Sequence, residues 1–132
     1  MAPPSELLAK VDLFRDLDKR ELHDIGEAMK QHSFPAGREV VTQGKEGVGF
    51  FVIEEGTATV SIDGEDVRTL GRGDYFGEIG LIADAPRTAS VIAETDLICW
   101  SLASWAFRPI VEGNGTIAWK LLQGMARMYT KK

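Results

Sequence analysis

GFFVIEEGTATVSIDGEDVRTL, residues 49–70, is the stretch that decides the fold class. Val, Ile, Phe and Thr recur in short runs that glycine interrupts, which is typical of β-strands joined by turns. The pair Asp63-Gly64 separates TATVSI from EDVRTL and is a strong signal for a tight hairpin. The stretch therefore predicts three successive strands, GFFVIEE, TATVSI and EDVRTL.

The same texture continues on both sides of this stretch, from His32 to Leu102. EVV, ASVIAE and DLICWSL are further strand candidates, and glycines at 37, 44, 47, 56, 64, 71, 73, 77 and 80 mark the turns. Many short strands at even spacing favour a sandwich, a jelly roll or a barrel.

Helical patterns flank the strands at the N-terminal side. Ser5, followed by ELLAKV, predicts a helix cap and a short amphipathic helix. Asp18 restarts helical spacing after DLFRDL and predicts a second helix that ends near Lys30.

Two helices are also predicted after Ala103. SWAFRPIVEGN gives a short helix that Pro109 disturbs in its middle or at its start. Gly113-Asn114-Gly115 makes the turn into TIAWKLLQGMARMYTKK, whose apolar residues recur at helical spacing despite Gly124.

Size and composition restrict the class of protein. A chain of 132 residues with 44% hydrophobic residues can bury one core, so one domain is expected. The net charge of -5 argues against direct nucleic-acid binding. One cysteine and the absence of a secretory or membrane-length apolar run favour a cytoplasmic location and no membrane partner.

Residues 71–93, GRGDYFGEIGLIADAPRTASVIA, carry the candidate chemistry. Their glycines let the backbone approach a ligand and present amide hydrogens to an anion, and a helical turn near Gly77 would add its positive end. Arg87 follows Pro86, and its planar guanidinium suits a phosphate diester. Glu78 would repel a phosphate and therefore suits a hydroxyl, such as a ribose 2′-OH. A structural ion pair between Glu78 and Arg87 is the alternative.

Other residues that could carry chemistry have simpler interpretations. His23 and His32 have no further ligand pair nearby, so no metal site and no cofactor are expected. Cys99 lies in an apolar run and is interpreted as a core residue. Trp100, Trp105 and Trp119 are interpreted in the same way as packing aromatics. No catalytic grouping is present, and the histidine and carboxylate cluster of a cupin-type enzyme is missing, so the chain is expected not to be an enzyme.

FGEIGLIADAPRTASV, residues 76–91, resembles the phosphate-binding cassette of the cyclic nucleotide-binding domain family. That family includes regulatory subunits of protein kinases, cyclic nucleotide-gated channels and bacterial catabolite activators. The resemblance extends to the layout of helices, strands and helices. It implies a mainly β fold, a double-stranded β-helix or jelly roll with N-terminal helices and two C-terminal helices.

The resemblance also implies a role for individual positions. Arg87 would pair with the cyclic phosphate, Glu78 would accept the ribose 2′-OH, and the backbone from Gly77 to Gly80 would complete the phosphate contacts together with Thr88. The final helix would act as a lid. The ligand-binding residues implied are Phe76, Gly77, Glu78, Ile79, Gly80, Leu81, Pro86, Arg87, Thr88, Ala89 and Val91.

Three points are left open by the residues themselves. Gly80 stands where many relatives carry alanine. Thr88 resembles members that favour cyclic GMP, although cyclic AMP is the more frequent ligand in the family and is the expected one. Met125, Met128 and Tyr129 would either cap the base or pack on the barrel.

The predicted organisation is a single domain over 1–132. N-terminal helices occupy 1–30, the jelly roll 31–102 with its cassette at 73–91, and hinge and lid helices 103–132.

The expected function is a regulatory module in which ligand binding moves the C-terminal helices. A jelly roll that binds another anion, or a domain used only for protein contact, is the alternative. The downstream effector is open, and a homo-oligomer is possible. Lys120, Arg127, Lys131 and Lys132 either complement the final helix dipole or form a docking surface.

Overall fold

The computed structural model describes residues 2–47, 49–83 and 85–130. Asp84, inside the predicted cassette, and Lys131 with Lys132, at the predicted end of the last helix, lie outside the described residues.

Helices precede and follow a region of strands, in the order that the sequence predicts. The helices are α1 (Ser5–Ala9), α2 (Lys19–Glu27), α3 (Ser104–Glu112) and α4 (Gly115–Thr130). Two 3₁₀ turns, Asp12–Phe14 and Glu78–Leu81, complete the helical structure of the described ranges. None of the helices within these ranges has the length and apolar character needed to cross a membrane.

The strands between α2 and α3 are short and are all paired antiparallel. They are β1 (Lys30–Phe34), β2 (Glu39–Val41), β3 (Glu46–Gly47), β4 (Gly49–Glu55), β5 (Ala58–Ile62), β6 (Glu65–Leu70), β7 (Tyr75–Phe76), β8 (Ala85–Pro86), β9 (Ser90–Ala93) and β10 (Leu97–Ala103). One four-stranded sheet has the order β1-β10-β4-β7 and the other the order β2-β9-β5-β6, while β3 pairs with β8. The predicted jelly roll with flanking helices is confirmed.

Alternation along β4 divides the core into two parts. Phe50 and Val52 point to the helical side, where they are fully buried against residues of α1, α2 and α4. Phe51 and Ile53 point the other way, into the interior between the two sheets. The first sheet thus holds the helices on one face and the barrel interior on the other.

The N-terminal helices differ from the sequence prediction at their ends. Ser5 is the first residue inside α1, and its N-cap is Pro4, which has no side chain that could accept a hydrogen bond. The second helix ends at Glu27, because Lys30 already begins the edge strand β1. That strand pairs with β10, and its first four residues are exposed, so it lacks the apolar alternation that would reveal it in the sequence.

The three tryptophans do not share one environment. Trp100 is buried at 2% exposure, as expected, whereas Trp105 and Trp119 are 69% and 63% exposed. The interpretation of these two as core aromatics is wrong, because each lies on the outer side of its helix. Cys99 is fully buried, and burial raises the pKa of its thiol to about 12, which supports a packing role.

The last helix is fixed to the N-terminal elements by close packing and by ion pairs. A Cβ at Gly124 would lie 2.6 Å from the carbonyl oxygen of Leu13, so glycine permits the close approach of helix and turn. Lys120 donates to Glu21 at 2.7 Å, and Arg127 donates to Asp16 at 2.7 Å. These two cations are therefore paired with acids of the N-terminal elements.

Candidate functional site

A cavity of about 600 Å³ opens between residues 71–93, the second sheet and the end of α4. Its volume is within the range of small-molecule sites. The residues that line it are Asp12, Val41, Val60, Arg68, Leu70, Asp74, Tyr75, Phe76, Gly77, Glu78, Ile79, Gly80, Ala85, Pro86, Arg87, Thr88, Ala89, Val91, Met128 and Tyr129.

The floor of the cavity is a tight turn that leads into the 3₁₀ helix Glu78–Leu81. Gly77 is its N-cap and has φ 85°, a left-handed conformation that side chains rarely adopt. The Gly80 amide donates to the Gly77 carbonyl at 3.0 Å and closes the turn. Amides at the start of a helical turn have no carbonyl within the turn to bind, so they favour an anion.

The backbone of Arg87 is bound on both sides to the turn at residues 44–45. Its amide donates to the Lys45 carbonyl at 2.8 Å, and its carbonyl accepts from the Gly44 amide at 2.8 Å. Pro86, just before it, pairs with Glu46 across β8 and β3. These contacts fix the start of the Arg87 side chain and direct the guanidinium to the cavity.

The guanidinium of Arg87 packs on Gly77. A Cβ at position 77 would collide with Nη1 of Arg87 and would lie 2.6 Å from the Gly49 carbonyl oxygen, so only glycine fits there. Nη2 donates to that same carbonyl at 2.9 Å. The Nε atom is buried and has no hydrogen-bond partner among the described residues. Burial lowers the pKa of Arg87, and the carboxylate of Glu78 partly opposes this shift.

Glu78 is half-buried at the start of the 3₁₀ helix. The four ion pairs of the described chain do not include Glu78 or Arg87, so the two side chains do not form the structural ion pair that was the alternative interpretation. Burial, followed by the charges of Asp12 and Glu78, raises the pKa of Tyr75 to about 12. Burial and then Glu78 raise the pKa of Tyr129 as well. Glu78 lines the cavity together with both tyrosines.

Most of the site residues expected from the sequence come together at this cavity. Leu81 does not line it and is instead buried in the core below the 3₁₀ helix. Met125 and Met128 both pack against that core, and Met128 also borders the cavity together with Tyr129. The residues expected from the sequence that line the cavity are Phe76, Gly77, Glu78, Ile79, Gly80, Pro86, Arg87, Thr88, Ala89, Val91, Met128 and Tyr129.

Sequence reasoning missed several cavity walls, of which Arg68 carries the most chemistry. A plain two-residue hairpin around Asp63-Gly64 would place Val67 opposite Val60. The structure has a bulge between Val60 and Ser61, which places Arg68 opposite Val60 instead. Nothing in the letters EDVRTL signals that bulge. Tyr75 could have been found, because it lies within residues 71–93, the segment that carries the candidate chemistry.

The residues that line the cavity differ in chemical character from one part of it to another. Arg87 and the turn at Gly77 form a cationic end that suits a compact anion. Glu78 supplies an acceptor next to that end. Val41, Val60 and the last turn of α4 give apolar and aromatic surface for a flat group.

Comparison with known proteins identifies relatives of this chain. Residues 31–114 match the family described as "Cyclic nucleotide-binding domain". A cAMP-dependent protein kinase regulatory subunit from Debaryomyces hansenii is 37% identical over 109 residues, which is 81% of this chain and 24% of that protein. The chain thus spans about a quarter of the length of that curated relative.

Solved structures share the fold over most of the chain. The N-terminal domain of a transcriptional regulator from Streptomyces coelicolor A3(2) has a TM-score of 0.87 at 25% identity and covers 95% of this chain and 93% of its own. The regulatory domain of Toxoplasma gondii PKA, crystallised with cAMP, has a TM-score of 0.73 at 31% identity, over 80% of this chain and 42% of its own. The chain belongs to the cyclic nucleotide-binding domain family.

Proposed function

We propose that this chain is a cyclic nucleotide sensor module without catalytic activity, and that cyclic AMP is its ligand. The cyclic phosphate would bind between Arg87 and the amides that begin the 3₁₀ helix at Gly77. The ribose would engage Glu78, and the base would lie against the end of α4. A cytoplasmic location, expected from the single cysteine, stays a prediction.

The buried Nε atom of Arg87 is the observation that carries this proposal. A buried donor without a partner costs about 1–3 kcal/mol, and more when the group is charged. Nη2 of the guanidinium is bound to Gly49 and Nη1 lies over Gly77, so an anion bound at the Gly77 turn would supply acceptors for N–H donors that the protein leaves without a partner. Glu78 restricts that anion to one that also presents hydroxyl groups.

The preference for cyclic AMP draws on the names of the relatives. The regulatory subunit from Debaryomyces hansenii is named as cAMP-dependent, and the Toxoplasma gondii domain was crystallised with cAMP. Thr88 is exposed at the cavity wall, where its hydroxyl could face a base or a phosphate. The choice between adenine and guanine therefore depends on a direct comparison of the two ligands.

Movement of the C-terminal helices is the output that we propose. Met128 and Tyr129 border the cavity near the end of α4. The same helix is fixed to the N-terminal elements by Gly124, Lys120 and Arg127. A ligand can shift such a helix only through contacts that differ between its two positions. Tyr129, which is 63% exposed, has room to form a new contact with a bound base.

Titration with cyclic AMP and cyclic GMP tests the proposed function. We expect cyclic AMP to raise the melting temperature, because a ligand at 100 times its dissociation constant adds about 2.7 kcal/mol to the stability of the folded state. Calorimetry gives the two dissociation constants, and cyclic AMP is expected to bind more tightly. If neither nucleotide gave a heat of binding or changed the melting temperature, the alternative would be favoured. That alternative is a domain for another anion or for protein contact only.

Glu78→Ala is expected to reduce affinity for cyclic AMP by about tenfold or more, because a hydrogen bond to a charged acceptor is worth about 1.5–3 kcal/mol. The 2′-deoxy analogue of cyclic AMP serves as the control ligand, since it lacks the hydroxyl that Glu78 would accept. Its affinity should change much less. Equal losses for both ligands, measured by calorimetry, would contradict the ribose role of Glu78.

A further inference from the structure

A second cavity, of about 550 Å³, lies between the first sheet, strand β2 of the second sheet and the start of α3. Its volume is also within the range of small-molecule sites. Gly77, Glu78 and Thr88 line the first cavity and not this one, so the proposed nucleotide site leaves it without a function.

The charged residues that line the second cavity are mostly cations. Lys30 and Lys45 both line it, and neither belongs to the four ion pairs of the described residues. Glu46 is the one acid in this lining, whereas Arg87 adds a further cation. The chain as a whole has a net charge of -5, so the second cavity is a local region of positive charge that attracts an anion.

Strand register sets polar and aromatic side chains beside each other in this cavity. Lys30 lies opposite Ser101 across β1 and β10, and Ser101 lies opposite Phe51 across β10 and β4. Residues opposite each other on neighbouring antiparallel strands share one face of the sheet. Nε2 of His32 lies 2.8 Å from the hydroxyl oxygen of Ser101, within hydrogen-bond distance. The sheet thus presents an ammonium, a hydroxyl and an aromatic ring in one row.

Trp105 gives the same cavity an exposed aromatic surface. It lies at the start of α3 and is 69% exposed, and the half-buried ring of Phe51 lines the cavity as well. Aromatic side chains offer a large, flat surface on which a ring can pack. The second cavity therefore combines cationic groups with a surface for a flat apolar group.

We propose that the second cavity binds an aromatic anion, a small molecule that joins a flat ring to a sulfonate, carboxylate or phosphate group. Lys30 and Lys45 attract the anionic group, and Trp105 and Phe51 pack against the ring. This site is separate from the proposed nucleotide site.

The two cavities share part of a wall, which decides the residues that can distinguish them. Val41 and Arg87 line both cavities, and Gly49, which accepts from Nη2 of Arg87, lines the second. A substitution of Arg87 would therefore change both sites. Lys45 lines the second cavity alone and Arg68 lines the first alone, so these two side chains separate them.

Titration with 8-anilinonaphthalene-1-sulfonate, an aromatic anion whose fluorescence rises on binding, tests this inference. The control ligand is N-phenyl-1-naphthylamine, which has the same rings without the sulfonate. Lys45→Glu replaces an attraction by a repulsion and should raise the dissociation constant of the sulfonate about fivefold or more. The same variant should change that of the uncharged analogue by less than about twofold, since no charge pair is involved.

Arg68→Glu is the matched control, because it makes the same charge change at an exposed residue of the first cavity. Trp105→Ala should weaken binding of both probes, and Trp119→Ala, at an exposed tryptophan outside both cavities, should not. All four substituted side chains are exposed, so the variants are expected to keep the melting temperature of the unsubstituted chain.

The sulfonate failing to bind, or binding to Lys45→Glu as tightly as to the unsubstituted chain, would overturn the inference. A loss in Arg68→Glu as large as that in Lys45→Glu would assign the probe to the first cavity and would overturn it as well. Equal losses in Trp105→Ala and Trp119→Ala would do the same. Cyclic nucleotide binding does not enter these outcomes, so the inference can fail while the proposed function holds.

Discussion

Arg87→Ala is expected to weaken cyclic AMP binding by at least tenfold. The substitution removes a charged donor, for which a hydrogen bond is worth about 1.5–3 kcal/mol, and about 1.4 kcal/mol corresponds to a factor of ten. The loss should exceed that of any other single side chain at the cavity, because Arg87 is held by backbone contacts on both sides and is already oriented before the ligand arrives. Calorimetry with cyclic AMP measures the change.

Two further variants make this result specific to the geometry of Arg87. Arg87→Lys keeps the positive charge but not the planar fork, so it should restore only part of the affinity. Arg38→Ala is the matched control, since Arg38 is exposed and lies outside the cavity. An unchanged dissociation constant in Arg87→Ala would remove the phosphate role from this residue. Equal losses in Arg87→Ala and Arg38→Ala would point to general electrostatics rather than to a site.

The folded state should tolerate the loss of Arg87. Its side chain binds one carbonyl of the protein, that of Gly49, and leaves a buried Nε without a partner. Removing a buried, incompletely bonded cation can be neutral or even stabilising. Arg87→Ala is therefore expected to lose affinity for cyclic AMP while its free energy of unfolding stays nearly unchanged. This result distinguishes a ligand site from a structural ion pair.

Strand positions in this chain could be predicted because their signals are local. Val and Ile alternation, glycine turns and the pair Asp63-Gly64 indicated β5 and β6, and both residues of that pair have positive φ, as a tight hairpin requires. The edge strand β1 was not predicted, because an exposed edge strand needs no apolar pattern. A similar reason applies to Trp105 and Trp119, since residue type alone does not say which side of a helix faces the core.

The cavity could be predicted only where one continuous segment builds it. Gly77, Glu78 and Arg87 lie within eleven residues of each other, and the resemblance over 76–91 brought them together. The opposite wall comes from β2, β5, β6 and the end of α4. The residues of this wall depend on the register between strands. The bulge at Val60 places Arg68 at a position that the spacing of residues in the sequence does not predict.

Gly124→Ala is expected to destabilise the fold by about 1–3 kcal/mol, the usual cost of an overpacked contact. In an exposed helix interior the same change would gain about 1 kcal/mol, because alanine is the better helix former. At Gly124 the new Cβ would lie 2.6 Å from the carbonyl oxygen of Leu13, and a backbone atom cannot move aside as a flexible side chain does. The free energy of unfolding in urea measures the effect.

Gly115→Ala is the matched control in the same helix. Gly115 is the first residue of α4, and a Cβ there would meet no atom within 4 Å, so this variant should be neutral or slightly more stable. Opposite signs for the two substitutions would establish that α4 packs against the turn at Leu13. A gain in stability at both positions would contradict that packing. It would also remove the anchor that holds Met128 and Tyr129 beside the cavity, since both follow Gly124 on the same helix.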